Sequence, residues 1–180
     1  MQVAREFEGR LQHSHQHGSF LVLMVPLKHA RAAEALLLKR FDLARRDFDG
    51  IFITSLRHTA DEVGAAWDTV LRADGAPAAG RDWARLQQLV EKALPPALDR
   101  LMVPDQTVLL THPGLLARYD RLDVLAGLGA EIGRTGSRLH GLWVLLPCDE
   151  QNVLPTLLRR PLPVTSGAQW ARIVLRTALM

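Results

Sequence analysis

The chain has 180 residues, 48% of them apolar and 23% charged, with a net charge of +3. That is enough apolar material for one well-filled globular core, and no apolar run approaches the roughly 20 residues that cross a bilayer. The single cysteine, Cys148, excludes an internal disulfide and fits a reducing compartment. Lysine is scarce (Lys28, Lys39 and Lys92), so arginine supplies most of the positive charge. We read this first as a coding bias and second as capacity for phosphate recognition. Met1 to Gly9 carries Arg5, Glu6 and Glu8 and no apolar core segment, so no signal peptide is expected and the cytoplasm is the expected location.

Residues 3–12 predict a short helix, followed by the polar break His13-Ser14-His15-Gln16-His17-Gly18-Ser19. Phe20 to Val25 is a short apolar run without alternation, ended by Pro26, which suits a strand covered on both faces. From Lys28 to Phe41, Ala32, Ala35, Leu36, Leu38 and Phe41 recur at helical spacing. In residues 47–63, Phe48, Ile51, Phe52, Ser55, Leu56, Thr59, Ala60 and Val63 favour a helix ending at Gly64, although Ile51-Phe52-Ile53 has strand propensity. Trp67 to Leu71 predicts a further helical turn, and Asp74 to Gly80 a loop. Asp82 is a plausible N-cap for a helix whose inner face holds Trp83, Leu86, Leu89, Val90, Ala93 and Leu94 and which Pro95-Pro96 interrupts or ends.

Thr107 to Thr111 is the second buried-strand candidate. Pro113 opens a helix expected to run to about Ile132, with Leu115, Leu116, Tyr119, Leu122, Leu125 and Leu128 inward. Gly141 to Leu146 is the third strand, stopped by Pro147; the proline-rich tail ends in Ala171 to Leu175, an edge strand or a last helix. The expected organisation is an N-terminal helix and polar connector over residues 1–19, then a single three-layer α/β domain over 20–180. Its sheet is mostly parallel, with helices on both faces. Ligands of such sheets sit beyond the carboxyl ends of the strands, here Pro26–His29, Thr111–Gly114 and Pro147–Glu150.

That rim lacks several kinds of chemistry. Pro26-Leu27-Lys28-His29 stands where a phosphate loop would follow the first strand, and no G-x-x-x-x-G-K-[ST] occurs. Gly127, Gly129 and Gly133 fall late in a helix, not between strand and helix, and are read as packing or termination. The second strand ends in Thr111-His112-Pro113 rather than in the acids that a nucleotide hydrolase needs. His112 is an acid–base candidate, with helix capping or surface exposure as the alternative. His13, His15 and His17 would share one side of an extended strand and are metal candidates, against a solvated connector. Asp149 and Glu150 are read as a solvated turn, with a lone acidic pair at the rim as the alternative, and they should raise the Cys148 thiol rather than activate it. Arg118 and Arg121, one turn apart on a helix, are binding candidates for a phosphate or a partner's carboxylate, against local pairing with Asp120 and Asp123. Arg159 and Arg160, with Arg172 and Arg176, are the candidate patch for DNA, though aromatic interleaving is poor. No cofactor is expected.

Val108 to Asp120 (VLLTHPGLLARYD) and Gly141 to Pro147 (GLWVLLP), with Trp67 to Asp74 and Asp82 to Val90, carry a resemblance. The chain resembles the carboxyl-terminal region of the large kinase-type proteins of phage growth limitation and type 2 BREX defence systems. It is also similar to a degenerate P-loop or Rossmann-like ATPase module without its phosphate loop. The resemblance covers most of residues 18–170 and implies a role in restricting phage within an assembly of defence proteins. It carries over no kinase activity, since H-R-D-x-x-x-x-N and D-F-G are absent, and no catalytic residue. The expected function is a non-catalytic interaction module, with a DNA-binding accessory module or a small enzyme centred on His112 and Asp149 as alternatives.

Overall fold

The computed structural model describes residues 2–78 and 80–173. Helix α1 spans Gln2–His17 and strand β1 Phe20–Pro26; after a 3-10 turn at Leu27–His29 come α2 (Ala30–Arg40) and β2 (Leu43–Asp47). Three helices follow, α3 (Phe48–Glu62), α4 (Trp67–Asp74) and α5 (Arg81–Leu101). The chain then forms β3 (Thr107–Thr111), α6 (Gly114–Arg118), α7 (Asp123–Glu131) and β4 (Gly141–Cys148). A small hairpin of β5 (Thr156–Leu157) and β6 (Arg160–Pro161) precedes β7 (Trp170–Arg172). Among the described residues two compact units result: one holds the sheet and comprises residues 2–47 and 102–173; the other lies within Phe48–Leu101 and is all helical in its regular elements.

The sheet has five strands in the order β2-β3-β4-β1-β7, and every pairing is parallel. Phe20 lies opposite Leu142, and the register runs on to Pro26 opposite Cys148. Phe20 to Val25, Thr107 to Thr111 and Gly141 to Leu146 are buried throughout. Side chains alternate across a strand, so both faces need cover. One face places Leu21, Leu23, Leu109, Trp143 and Leu145 against Leu11 of α1 and Ala33 and Leu37 of α2. On the other, Gly129 of α7 lies against the Phe20 ring, so close that a Cβ there would come within 3.1 Å of it. This is the three-layer α/β arrangement that the unbroken apolar runs demand.

Several elements differ from expectation. The break predicted at residues 13–19 is helix as far as His17. Gly18 ends it at φ 70°, and a Cβ would fall 2.0 Å from the His140 carbonyl oxygen, so only glycine fits. The buried stripe of α2 is Ala33 and Leu37, not Ala32 and Ala35. A helix rich in alanine and leucine on every side does not mark its own inner face. Strand β2 was not expected at all. Pro147 sits within β4, paired with Val25, rather than stopping the strand.

Helix α5 passes through Pro95 and Pro96 to Leu101. Its buried residues Leu86, Val90, Ala93, Leu94, Ala97 and Leu101 keep helical spacing across the two prolines. That continuous stripe offsets the missing backbone donors. The helix predicted from Pro113 to Ile132 is instead broken between Arg118 and Asp123, with Asp120 in the left-handed region at φ 60°. Ala171 lies in edge strand β7; Val174 and Leu175 lie outside the described residues.

The Trp143 indole N–H donates to the Ser14 hydroxyl at 2.8 Å in the buried core, and Ser14 and Ser19 hydroxyls lie 2.5 Å apart. Replacing Ser14→Ala strands a buried donor, and such groups cost about 1–3 kcal/mol. Urea unfolding should show a loss in that range, with little change in the denaturant slope.

Candidate functional site

The carboxyl rim of the sheet follows from its connectivity. From β1 the chain crosses past β4 and β3 to β2, whereas from β4 it passes β1 to β7. Neighbouring strands whose connections leave in opposite directions open a crevice at their carboxyl ends, the usual ligand position of open parallel sheets. Here that position lies between the ends of β1 and β4.

The chain's own groups bridge it. Lys28, in the turn after β1, reaches Glu150, in the turn after β4, with Nζ 2.7 Å from Oε1. Arg172, from β7, donates to the backbone carbonyls of Glu150, at 3.1 Å, and of Asn152. The hydrogen bond and charge of Lys28 hold the Glu150 carboxyl below its ordinary range. The pair's contribution is therefore present above the ordinary carboxylate range and is lost as pH falls through the lowered value. Both side chains are about two-thirds exposed, so water screens the pair and it contributes little to stability.

Cys148, the last residue of β4, is buried. Burial pushes its thiol up, while Arg172 and a backbone hydrogen bond at Val25 act the other way. Asp149 raises it too, as expected from the sequence, but as the smallest of the named causes.

A second cluster stands where β2 and β3 end. Asp47 pairs in register with Thr111, so the residue after Thr111, His112, emerges beside the Asp47 carboxylate. His112 Nδ1 lies 3.3 Å from Asp47 Oδ2, with φ at 50°, a left-handed conformation uncommon outside glycine. The Thr111 hydroxyl donates to the Arg46 carbonyl at 3.3 Å, tying the two strand ends together. A carboxylate on one ring nitrogen orients an imidazole and leaves the other to exchange protons, which is general acid–base geometry. The acid beside His112 is thus Asp47, from a strand that the sequence did not signal; Asp149 is exposed in the turn after β4. The polar stretch Leu43-Ala44-Arg45-Arg46-Asp47, an edge strand paired on one side only, carries no strand signal of its own.

The remaining candidates are dispersed. Helix α1 replaces the extended geometry that would have aligned three imidazoles: His13 and His17 stack at 4.3 Å, whereas His15 packs toward Phe41 and Trp143. No group of three or more metal-ligating side chains occurs among the described residues. Arg118 closes α6 and Arg121 lies in the break before α7, so the two do not share a helix. Arg160, in β6, pairs with Asp120. Arg159 sits exposed at the hairpin tip, at φ 63°. Arg172 is held at the β4 rim, and Arg176 lies outside the described residues. No helix among the described residues is long and apolar enough to cross a membrane.

No protein-family model and no solved structure matches the chain. The chain is similar to the protein named probable kinase PglW from Streptomyces coelicolor, with 31% identity over 115 residues. The match covers 59% of this chain and 7% of that protein, so the chain spans a small fraction of its relative's length.

The burial that raises the Cys148 thiol lowers its thiolate fraction relative to a free cysteine. Alkylation by iodoacetamide should be slow at neutral pH and should accelerate only above the range of a free cysteine. Arg172→Gln removes a charge that favours the thiolate and should move that profile further up in pH. A rate at neutral pH equal to that of free cysteine would refute this account of the rim.

Proposed function

We propose that this chain is a non-catalytic α/β module of a bacterial phage-defence assembly, working through contact with other proteins of that assembly. The similarity to the kinase-type PglW protein supports a defence role. One structural observation carries the non-catalytic part. The crevice between the ends of β1 and β4 is spanned by Lys28–Glu150 and by the Arg172 bonds to the backbone. Pro26-Leu27-Lys28 stands where a phosphate-binding turn would have to wrap its ligand. The strand scaffold of a P-loop-type module is retained in this reading and its nucleotide function given up. The isolated chain is therefore expected neither to bind nor to hydrolyse ATP. Co-expressed with the other proteins of such a system, it is expected to co-purify with one of them. ATP turnover by the purified chain would overturn the proposal.

The Asp47–His112 pair favours a second reading, a small enzyme using His112 as a proton-transferring group at the rim. Under it, His112→Ala and Asp47→Asn would each abolish phage restriction while leaving the fold and the co-purifying partner unchanged. Full restriction by both variants would remove this reading and leave the first.

A further inference from the structure

The helical unit carries an apolar groove of about 260 Å³ that plays no part in the rim. Val70 and Ala73 of α4 and Leu86 of α5 are buried and form its floor, while Leu89 of α5 forms a half-buried wall. Val63, just past α3, contributes a side chain that is 52% exposed. Two cations belong to the lining, Arg85 and Lys92, both exposed and without an ion pair among the described residues.

The spacing on α5 is informative. Arg85, Gln88, Leu89 and Lys92 stand at helical intervals of three, four and seven, so they form one face. A rise of about 1.5 Å per residue puts the two cations roughly 10 Å apart along the axis, with Leu89 between them. A single carboxylate on an apolar tail would engage only one of the two. Two carboxylates about two turns apart on a helix, flanking an apolar anchor, engage both and fill the groove.

We propose that this groove docks an acidic amphipathic helix of a partner protein. Arg85 and Lys92 receive carboxylates on either side of a leucine-type anchor that enters the space over Val70, Ala73 and Leu86. The assignment rests on the protein-contact reading above and specifies the chemistry of one contact.

The test uses the full chain and a fluorescein-labelled synthetic helix with leucines along one face and two glutamates seven residues apart. Fluorescence anisotropy should show saturable binding that weakens about tenfold or more in the Arg85→Glu/Lys92→Glu variant. A peptide with lysine in place of both glutamates should regain affinity for that variant and bind the wild-type chain poorly. Both substitutions are at exposed positions; the milder pair Arg85→Ala/Lys92→Ala, matched to wild type by circular dichroism, serves if the reversal unfolds the unit.

No binding to the wild-type chain, or equal binding to the charge-reversed one, would overturn the docking assignment. So would displacement of the peptide by laurate at equal affinity in both chains, which marks a plain apolar pocket. Failure here is separable from failure of the wider reading. If the charge-reversed chain still co-purifies with its defence protein, the groove is dismissed and the protein-contact reading stands, whereas ATP turnover by the wild-type chain removes that reading itself.

Discussion

Three strands without a water-facing side set the terms for the sheet unit. Phe20 to Val25, Thr107 to Thr111 and Gly141 to Leu146 are buried on both faces, so apolar cover is required above and below them. Parallel neighbours also need long crossover connections, and helices supply both the crossing and the cover. The buried indole of Trp143, satisfied by Ser14 of α1, shows how closely that cover is fitted: even the one polar atom of a large core side chain finds its partner in the layer above.

With both faces covered, the ends of the strands are where polar side chains emerge. The two positions at the carboxyl rim are used differently. At the crevice between β1 and β4, Lys28 pairs with Glu150, Arg172 bonds to the local backbone, and Cys148, the last residue of β4, is buried. At the ends of β2 and β3, Asp47 meets His112 in partly exposed surroundings, and an oriented imidazole remains available. The two positions differ in that the first joins an exposed ion pair to the local backbone, whereas the second sets a carboxylate beside an imidazole.

In the helical unit, α4 and α5 combine an apolar floor with a cationic lip. Exposed Val153, Leu154 and Leu158, in and just before the β5–β6 hairpin, show that apolar surface is also left uncovered on the sheet unit.

Local pattern determined much of this. The continuous apolar runs identified β1, β3 and β4 and hence the layered α/β class, because a buried strand must be apolar on both sides. The spacing of Phe48, Phe52, Ser55, Leu56, Thr59 and Ala60 identified α3, because one helical face was apolar and the other was not. Only the tertiary structure decided the rest. Leu43-Ala44-Arg45-Arg46-Asp47 is a strand because β3 offers it a register, not because its composition asks for one, and that register carries Asp47 to His112. Helix α2 turned Ala33 and Leu37 inward although its neighbours were equally apolar, and α5 continued through two prolines because the packing beyond them outweighed the lost bonds. Periodicity reports which residues leave water. It carries no information on which distant segment they meet, and the rim depends on those meetings.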